Sequence, residues 1–130
     1  MRAAIDEDLE RLPERGMHPE PAIALVGIAG TFTTLAAMEM RLACYSHRQV
    51  HGSSLTQEAV ARQRHRLAEK SVAERRKMIG LEPQRADVIF AGACLVERIM
   101  ERYGGDHLIV SDQGVRYGLL HETAERCQKY

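Results

Sequence analysis

The residues best suited to chemistry are Gly27, Ala29, Gly30 and Thr31, which lie in a short turn, 27–31, between an apolar run and a helical pattern. Such a turn lets backbone N–H groups approach an anion, and the dipole of the following helix favours negative charge there. No Lys follows the second glycine, so the turn is not a P-loop. The pattern predicts an anion-binding loop, with a plain strand-to-helix connection as the alternative.

A basic segment follows at residues 58–77, with seven basic side chains against three acidic ones. Arg62, Arg66 and Lys70 recur at intervals of four, which places them on one face of a helix. This stripe indicates either a surface that tracks a polyanion or a solvated face on which Glu58 pairs with Arg62.

Cys44, His47 and His51 are spaced like three ligands of a zinc site. Structural zinc needs four ligands, and no fourth lies at a usual spacing, so the two histidines are interpreted as loop residues. Asp112 directly follows an apolar run at 107–111 and is either catalytic or the cap of the next turn, which is favoured. No catalytic residue and no metal ligand is predicted.

Composition limits the classes of protein to which the chain can belong. Its 130 residues suit one domain, 1–130, and leave little room for two. The 18 basic and 18 acidic residues cancel, so no overall charge draws the chain to nucleic acid or an anionic membrane. No apolar run approaches the roughly 20 residues of a membrane helix. Three cysteines without a Cys-x-x-Cys pair indicate a reducing compartment, and we expect a cytoplasmic protein.

Helical periodicity dominates the elements that must position these residues. The unbroken apolar run 22–26 predicts a parallel strand covered on both faces, and residues 107–111 predict a second short strand. Ser71 and Glu74 have capping-box spacing, and Gly80 is suited to end the helix that they begin. The predicted helices span residues 2–12, 32–42, 56–70, 71–80, 83–103 and 117–128.

Two short strands make a poor sheet by themselves. Most sheets have about four strands or more, and a lone strand leaves backbone donors and acceptors unpaired. We therefore predict an α/β, helix-rich domain whose sheet is completed by residues outside this chain or by a partner.

Three motifs stand in order along the chain: Gly-Ile-Ala-Gly-Thr, Arg-Ala-Asp-Val-Ile-Phe-Ala-Gly and Ser-Asp-x-Gly-Val-Arg-x-Gly. With shorter matches between them, they resemble the exopolyphosphatase / guanosine pentaphosphate phosphohydrolase (Ppx/GppA) phosphatase family. The matching stretches are residues 26–37, 50–52, 55, 74–75, 80–81, 85–93 and 110–120. The resemblance implies a fold of the actin/Hsp70/sugar-kinase type, in which two RNase H-like α/β domains enclose a cleft. This chain would then be a partial RNase H-like domain with about two short parallel strands.

The resemblance also implies a chemistry. Family members remove the terminal phosphate from inorganic polyphosphate or from guanosine pentaphosphate (pppGpp), usually with a divalent metal such as Mg²⁺. Gly27, Ala29, Gly30 and Thr31 would form the second phosphate-binding loop, with Ala29 where glycine is common. Arg85 would face the cleft, because guanidinium forks suit phosphate oxygens; the alternative is a surface Arg at a helix start.

Other features qualify this interpretation. Arg116 matches a family position and is predicted to brace the fold, and Phe90 stands where the family often has Pro, which predicts a straighter helix. The first domain, with its general-base Glu, and the Asp-x-Gly-Gly-Gly-Ser phosphate loop are not in this sequence, so the Mg²⁺ ligands are expected elsewhere. We interpret the chain as the C-terminal portion of a phosphatase unit, inactive alone, completed by the missing N-terminal domain or by a second copy. The alternatives are a non-catalytic polyphosphate-binding module and a structural or regulatory piece that pairs strand edges with a partner.

Overall fold

Helices form most of the protein, around one small sheet. The computed structural model describes residues 1–18, 24–103 and 105–127. The α-helices in these residues are α1 (Arg2–Glu10), α2 (Gly30–Glu39), α3 (His47–Val50), α4 (Gln57–Ala68), α5 (Val72–Arg75), α6 (Ile89–Tyr103) and α7 (Val115–Cys127). The strands are β1 (Leu25–Ile28), β2 (Ser54–Thr56) and β3 (His107–Ser111). Short 3₁₀ helices occupy Pro13–Arg15 and Pro83–Arg85.

Strand β3 lies at the centre of a three-stranded sheet with the order β1-β3-β2. Strand β1 runs parallel to it, with Ile28 opposite Ser111, which confirms the parallel pairing; the expected cover on both faces is not found among the described residues, where Val26 and Ile28 are exposed. Strand β2 runs antiparallel, with Leu55 opposite Leu108. The sheet is therefore mixed, and it has one strand more than the sequence predicts.

The additional strand and the position of β1 have simple causes. Strand β2 has three residues, of which only Leu55 is apolar and buried, and this is too short for an alternating pattern to be read. Strand β1 spans Leu25–Ile28 rather than 22–26; residues 22 and 23 of that prediction lie outside the described residues. The shift places Gly27 and Ile28 in the strand and narrows the predicted turn to Ala29.

The predicted helix starts are confirmed by hydrogen bonds. The Thr56 side chain accepts a hydrogen bond from the Ala59 amide at 3.1 Å and begins α4. Ser71 and Glu74 form the capping box that begins α5. The predicted end of this helix at Gly80 is wrong, because α5 already ends at Arg75. Gly80 instead has φ of 85° in the following turn, where a Cβ would lie 2.4 Å from the carbonyl oxygen of Ala37, so only glycine fits this position.

The hydrophobic core lies on one face of the sheet, beneath α2, α4 and α6. Leu55, Leu108 and Val110 face it from the strands. The helices contribute Leu35, Val60, Leu67, Ile89, Val96 and Met100, all almost completely buried. This packing holds the amino-terminal end of α2 in a fixed place beside the end of β1.

The opposite face of the sheet is open. Val26, Ile28 and Ile109 are exposed there, and β1 is an edge strand whose outer side pairs with no strand among the described residues. Nor does α7 bury any of its side chains in residues 115–127. The prediction of a sheet that needs further cover agrees with this open face.

Buried charges fasten α1 to the rest of the protein. The Glu97 side chain on α6 is almost fully buried and contacts Arg2 of α1 at 2.5 Å and Arg64 of α4 at 2.7 Å. Burial favours the neutral form of this carboxyl, but the hydrogen bonds from the two arginines outweigh it and hold the pKa of Glu97 below its usual value. Glu97 therefore stays ionised in the interior and ties three helices together.

Within residues 1–18, 24–103 and 105–127, none of the helices combines the length and the apolar character that crossing a membrane demands.

Candidate anion-binding site

A cavity of about 940 Å³ opens where β1 and β3 end. These strands are parallel, so their carboxyl ends lie at the same edge of the sheet, where loops converge. The lining comes from the start of α2, the segment before α3, the turn around Gly80 to Arg85, and residues 112–117. Four separate stretches of sequence thus meet in one place.

Arg85 lies directly over the first residue of α2. A Cβ on Gly30 would be 2.1 Å from Nη1 and 2.5 Å from Nη2 of Arg85, so the guanidinium occupies the space that any side chain at residue 30 would need. The Nε of Arg85 donates to Glu82 at 2.9 Å, which orients the group. The absence of a side chain at Gly30 is what allows this close approach.

The amino terminus of α2 carries positive charge without a side-chain cap. Its N-cap residue, Ala29, makes no side-chain capping hydrogen bond. The backbone N–H of Thr33 donates the helical hydrogen bond to the Ala29 carbonyl. The N–H groups of the first turn precede the helical hydrogen-bond ladder, and the helix dipole adds a partial positive charge. A guanidinium beside a helix amino terminus places two positive groups together, an arrangement suited to a bridging anion.

The backbone of Ala29 is strained, with φ of 74° and ψ of 178°. Almost only glycine adopts this region, and another residue there costs about 1–3 kcal/mol. The chain keeps an unfavourable backbone conformation at the edge of the cavity.

Tyr45, His47 and Asp112 form a second group on the cavity wall. Asp112 Oδ2 contacts His47 Nδ1, and the Asp112 side chain is only 16% exposed. The backbone N–H of Asp112 donates to His51 Nδ1 at 3.3 Å. The Tyr45 ring meets the His47 ring edge-on, with the centroids 5.6 Å apart. Partial burial, with a hydrogen bond to Asp112 and the charge of that carboxylate, raises the pKa of Tyr45 to about 12.

The residues predicted to bind phosphate divide into two sets. Ala29, Gly30 and Arg85 line the cavity, whereas Gly27 and Thr31 lie outside its lining. A Cβ on Gly27 would meet the Phe32 ring at 2.2 Å, so Gly27 allows close packing within the strand.

The threonines of α2 lie in two different environments. Thr31 packs against Gly92 of α6, where a Cβ would lie 2.7 Å from the Thr31 methyl. Thr33 and Thr34 line the cavity instead, and the Thr33 hydroxyl donates to the carbonyl of Gly30 at 3.3 Å. Thr31 therefore serves the contact between two helices.

Arg116, predicted to brace the fold, is exposed at the start of α7 and lines the cavity. Helix α7 buries none of its described side chains, so the bracing role stays a prediction. Arg116 adds a second guanidinium to the cavity wall.

Sequence reasoning did not bring Tyr45, His47 and Asp112 together. His47 and Asp112 are 65 positions apart in the chain, and contact between them depends on where a short helix meets the end of β3. One feature of the sequence could have indicated that Asp112 lies near Gly30. Each residue follows one of the two predicted parallel strands, and the carboxyl ends of parallel strands meet at one edge of a sheet.

The basic segment is largely used within the protein. Arg62 pairs with Glu39 at 2.6 Å and with Glu58 at 3.7 Å, which confirms the pairing expected for a solvated face. The Arg75 Nε donates to the Leu67 carbonyl at 2.9 Å, and its guanidinium lies 5.2 Å from the centre of the Phe90 ring. Arg62 is therefore paired on an exposed face of α4, whereas Arg75 of α5 acts in capping and packing.

The described residues do not suit a metal held by this chain alone. No group of three or more His, Cys, Asp or Glu side chains that could hold a metal occurs in residues 1–18, 24–103 and 105–127. Cys44 is exposed and Cys94 is buried, and both are free thiols. Carboxylate and water oxygens are the usual Mg²⁺ ligands, and the cavity wall offers only Glu82 and Asp112.

Comparison with known proteins identifies related sequences over nearly the whole chain. The model of the Ppx/GppA phosphatase family matches residues 3–127. Exopolyphosphatase 2 of Mycobacterium tuberculosis is 34% identical over 109 residues, which cover 81% of this chain and 34% of that protein. A bifunctional 3-dehydroquinate synthase/phosphatase of Fusobacterium nucleatum is 30% identical over 116 residues, which cover 89% of this chain and 17% of that protein.

Solved structures show the same fold. The Ppx/GppA family member of Aquifex aeolicus superposes with a TM-score of 0.86 at 32% identity, over 96% of this chain and 39% of that one. An exopolyphosphatase-like protein superposes with a TM-score of 0.85 at 26% identity, over 98% of this chain and 41% of that one. The chain thus spans well under half the length of these relatives.

Proposed function

We propose, because the chain belongs to the Ppx/GppA phosphatase family, that it supplies a phosphate-holding wall of a phosphohydrolase. The substrate would be inorganic polyphosphate or pppGpp, from which the terminal phosphate is removed. Ala29, Gly30 and Arg85 would hold phosphate oxygens, with Gly27 and Thr31 shaping the loop from behind.

One observation carries this proposal: the Arg85 guanidinium occupies the space over Gly30 at the uncapped amino terminus of α2. Backbone N–H groups and a guanidinium fork that face one cavity match the several acceptor oxygens of a phosphate group. Arg116 on the same wall would reach a further phosphate of a chain.

The relatives support polyphosphate as the substrate class. Exopolyphosphatase 2 of Mycobacterium tuberculosis carries that activity in its name, and the cavity of about 940 Å³ has room for several phosphate units. Removal of the terminal phosphate from pppGpp stays in the proposal as the second substrate.

Catalysis would require the part of the relatives that this chain does not match. Phosphoryl transfer needs a positioned water, a base and neutralisation of the developing charge, and we assign none of the catalytic roles to this chain. Mg²⁺ would be held by carboxylates of that other part. Its protein contacts would cover the open sheet face and α7, either as a separate N-terminal domain or as a second copy.

Phosphate release provides the test of incompleteness. The chain alone, incubated with polyphosphate and Mg²⁺, should release no phosphate above a buffer control. Robust turnover would contradict the assignment of the catalytic groups to another part of the fold.

Binding of inorganic tripolyphosphate tests the site itself. In calorimetric titration, Gly30→Ala should weaken binding by about tenfold or more, because the new Cβ displaces Arg85 from its charge-assisted contacts. Gly118→Ala is the matched control, since a Cβ at residue 118 meets nothing within 4 Å. Equal affinities for the two variants would exclude Arg85 and Gly30 as the site.

The Arg85 side chain is tested by Arg85→Gln, which keeps an amide donor but removes the charge. Tripolyphosphate affinity should fall, and its dependence on salt should become weaker by about one phosphate contact. Arg11→Gln is the control, since Arg11 is exposed at the C-cap of α1, outside the cavity lining, and pairs with Glu7.

A second candidate function has its own observation. The exposed side chains Val26, Ile28 and Ile109 on the open sheet face favour a structural or regulatory piece that pairs with a partner. Light scattering separates the candidates, since a strictly monomeric chain that binds tripolyphosphate would favour the binding function. The cytoplasmic location rests on cysteine use and stays a prediction.

A further inference from the structure

The contact between His47 and Asp112 is not required by the site described above. His47 begins α3, and its Nδ1 faces Oδ2 of Asp112, an oxygen shielded from solvent. The His47 side chain is itself 72% exposed and lines the cavity together with Arg85. With Nδ1 directed at Asp112, the second ring nitrogen, Nε2, remains for another partner.

A shielded carboxylate on the wall of an anion-binding cavity is an electrostatic problem. Without compensation, the charge of Asp112 opposes the entry of phosphate, and the low local polarity strengthens that repulsion. A protonated His47 neutralises Asp112 and, because both nitrogens of an imidazolium are donors, directs an N–H toward other groups from Nε2. The pair thus changes from net neutral to net negative when His47 loses its proton.

We propose that His47 is a phosphate-binding residue of this cavity, positioned by Asp112, and that phosphate binds more tightly while His47 is protonated. The inference rests on the proposed function, since it names a further ligand and the proton dependence of that same site. Asp112 is here a positioning residue that acts through His47.

The other titratable and charged groups of the cavity wall leave this role to His47. They are Tyr45, Glu82, Arg85, Asp112, Arg116 and Tyr117. Tyr45 stays protonated, because its pKa is raised to about 12, and the arginines stay charged throughout. Ionised carboxylates only accept hydrogen bonds, so Glu82 and Asp112 do not serve as donors to an anion.

His51 lies close to this group and provides a matched comparison. Its Nδ1 accepts the backbone N–H of Asp112 at 3.3 Å, which requires that nitrogen to be unprotonated. Residue 51 also lies outside the cavity lining. His51→Gln should therefore leave anion binding unchanged, whereas His47→Gln removes the proposed ligand.

Sulfate is the chosen probe, because its charge stays constant across this pH range while that of phosphate does not. The chain is titrated with sulfate between about pH 5.5 and 8.5, and binding is followed through backbone amide and imidazole NMR signals. Wild-type affinity should fall about tenfold as pH rises, the effect of losing one charge-assisted hydrogen bond. His47→Gln should bind weakly and show no such fall, and His51→Gln should behave as wild type.

Two further readouts separate positioning from a structural role. Sulfate should move the midpoint of the His47 imidazole titration to higher pH, because an anion bound to the protonated form stabilises it. In Asp112→Asn, the His47 ring loses the carboxylate that orients it, so the change that sulfate causes in the His47 imidazole signals should become smaller. A His47 titration that ignores sulfate would overturn the inference.

The outcomes distinguish this inference from the function on which it rests. If sulfate and tripolyphosphate bind in an Arg85-dependent way but His47→Gln keeps the wild-type pH dependence, only the role of His47 is refuted. If the wild-type chain binds neither anion at any pH, both proposals fall.

Discussion

At the scale of single residues, Ala29 shows how the turn after β1 is built. Its φ of 74° and ψ of 178° direct the chain from the end of β1 into the first turn of α2, beside Arg85. A glycine would reach this conformation without strain, whereas Ala29 bears the cost of its Cβ. The geometry is therefore imposed by the packing on both sides of the turn.

Ala29→Gly should raise the free energy of unfolding by about 1 kcal/mol. The relief of backbone strain, about 1–3 kcal/mol, exceeds the extra freedom that glycine gives the unfolded chain, about 0.5–1 kcal/mol. Urea denaturation measures the change. Ala73→Gly in α5 is the control and should lower stability, because helix interiors disfavour glycine. A loss of stability in Ala29→Gly would show that the turn differs in solution.

Tyr45 offers a spectroscopic check of the cavity. Because burial and the Asp112 carboxylate raise its pKa to about 12, its phenol should ionise after the other tyrosines in an ultraviolet pH titration. Comparison with Tyr45→Phe assigns the late transition. This raised pKa stabilises the neutral form, so its contribution to folding is complete below the usual value of 10.0 and is lost as pH rises toward 12. An early transition that vanishes in Tyr45→Phe would contradict the packing.

The residues of the site differed in how far the sequence revealed them. Gly30 and Arg85 belong to local motifs, so they could be identified without a structure. The contact of His47 with Asp112 could not, because it depends on the placement of α3, a helix of four residues. The place of Arg116 on the cavity wall could not be identified either, because it depends on where α7 begins relative to the other loops.

At the scale of elements, local signals predicted helices well and β2 not at all. Thr56, Ser71 and Glu74 specify helix starts through their own side chains, so the relevant physics lies within a few residues. Strand β2 exists because Leu55 fills the core opposite Leu108, which is a contact between distant segments. Long-range pairing of this kind leaves little trace in a single sequence.

The attachment of α1 leads to a prediction about acid stability. The carboxyl of Glu97 has a lowered pKa because Arg2 and Arg64 outweigh the effect of its burial. Its stabilisation is therefore present above the usual value of 4.5 and is lost as pH falls through the lowered value. Glu97→Gln should cost about 3 kcal/mol at neutral pH, the effect of breaking a buried pair, and its deficit should shrink in acid.

Urea denaturation at several pH values measures this difference. Glu101→Gln is the matched control on the same helix, since Glu101 is an exposed partner of Arg98, and such pairs contribute about 0–1 kcal/mol. If the deficit of Glu97→Gln were the same in acid as at neutral pH, the lowered pKa would be wrong.

At the scale of the whole molecule, the cavity and the open face are formed by the same two strands, β1 and β3. Strands β1 and β3 contribute their carboxyl ends to the cavity, and the same strands expose Val26, Ile28 and Ile109 on the face opposite the core. Helix α7 begins at the cavity wall and continues without burying a described side chain. Whatever covers the sheet and α7 would therefore also close the cavity, which links assembly to substrate binding in the proposed phosphohydrolase.

This arrangement predicts that the leucines of α7 contribute nothing to the stability of the isolated chain. Leu119 and Leu120 are 64% and 65% exposed, so Leu119→Ala and Leu120→Ala should change the free energy of unfolding by less than about 0.5 kcal/mol. Leu67→Ala is the control, since Leu67 is fully buried in the core, and it should cost about 2–5 kcal/mol. Hydrogen exchange should likewise find the α7 amides poorly protected, because a helix of 13 residues without packed side chains is marginal in water. A large cost for either α7 variant in a monomeric sample would show that this helix packs onto the body of the protein, and the link between assembly and cavity closure would then fail.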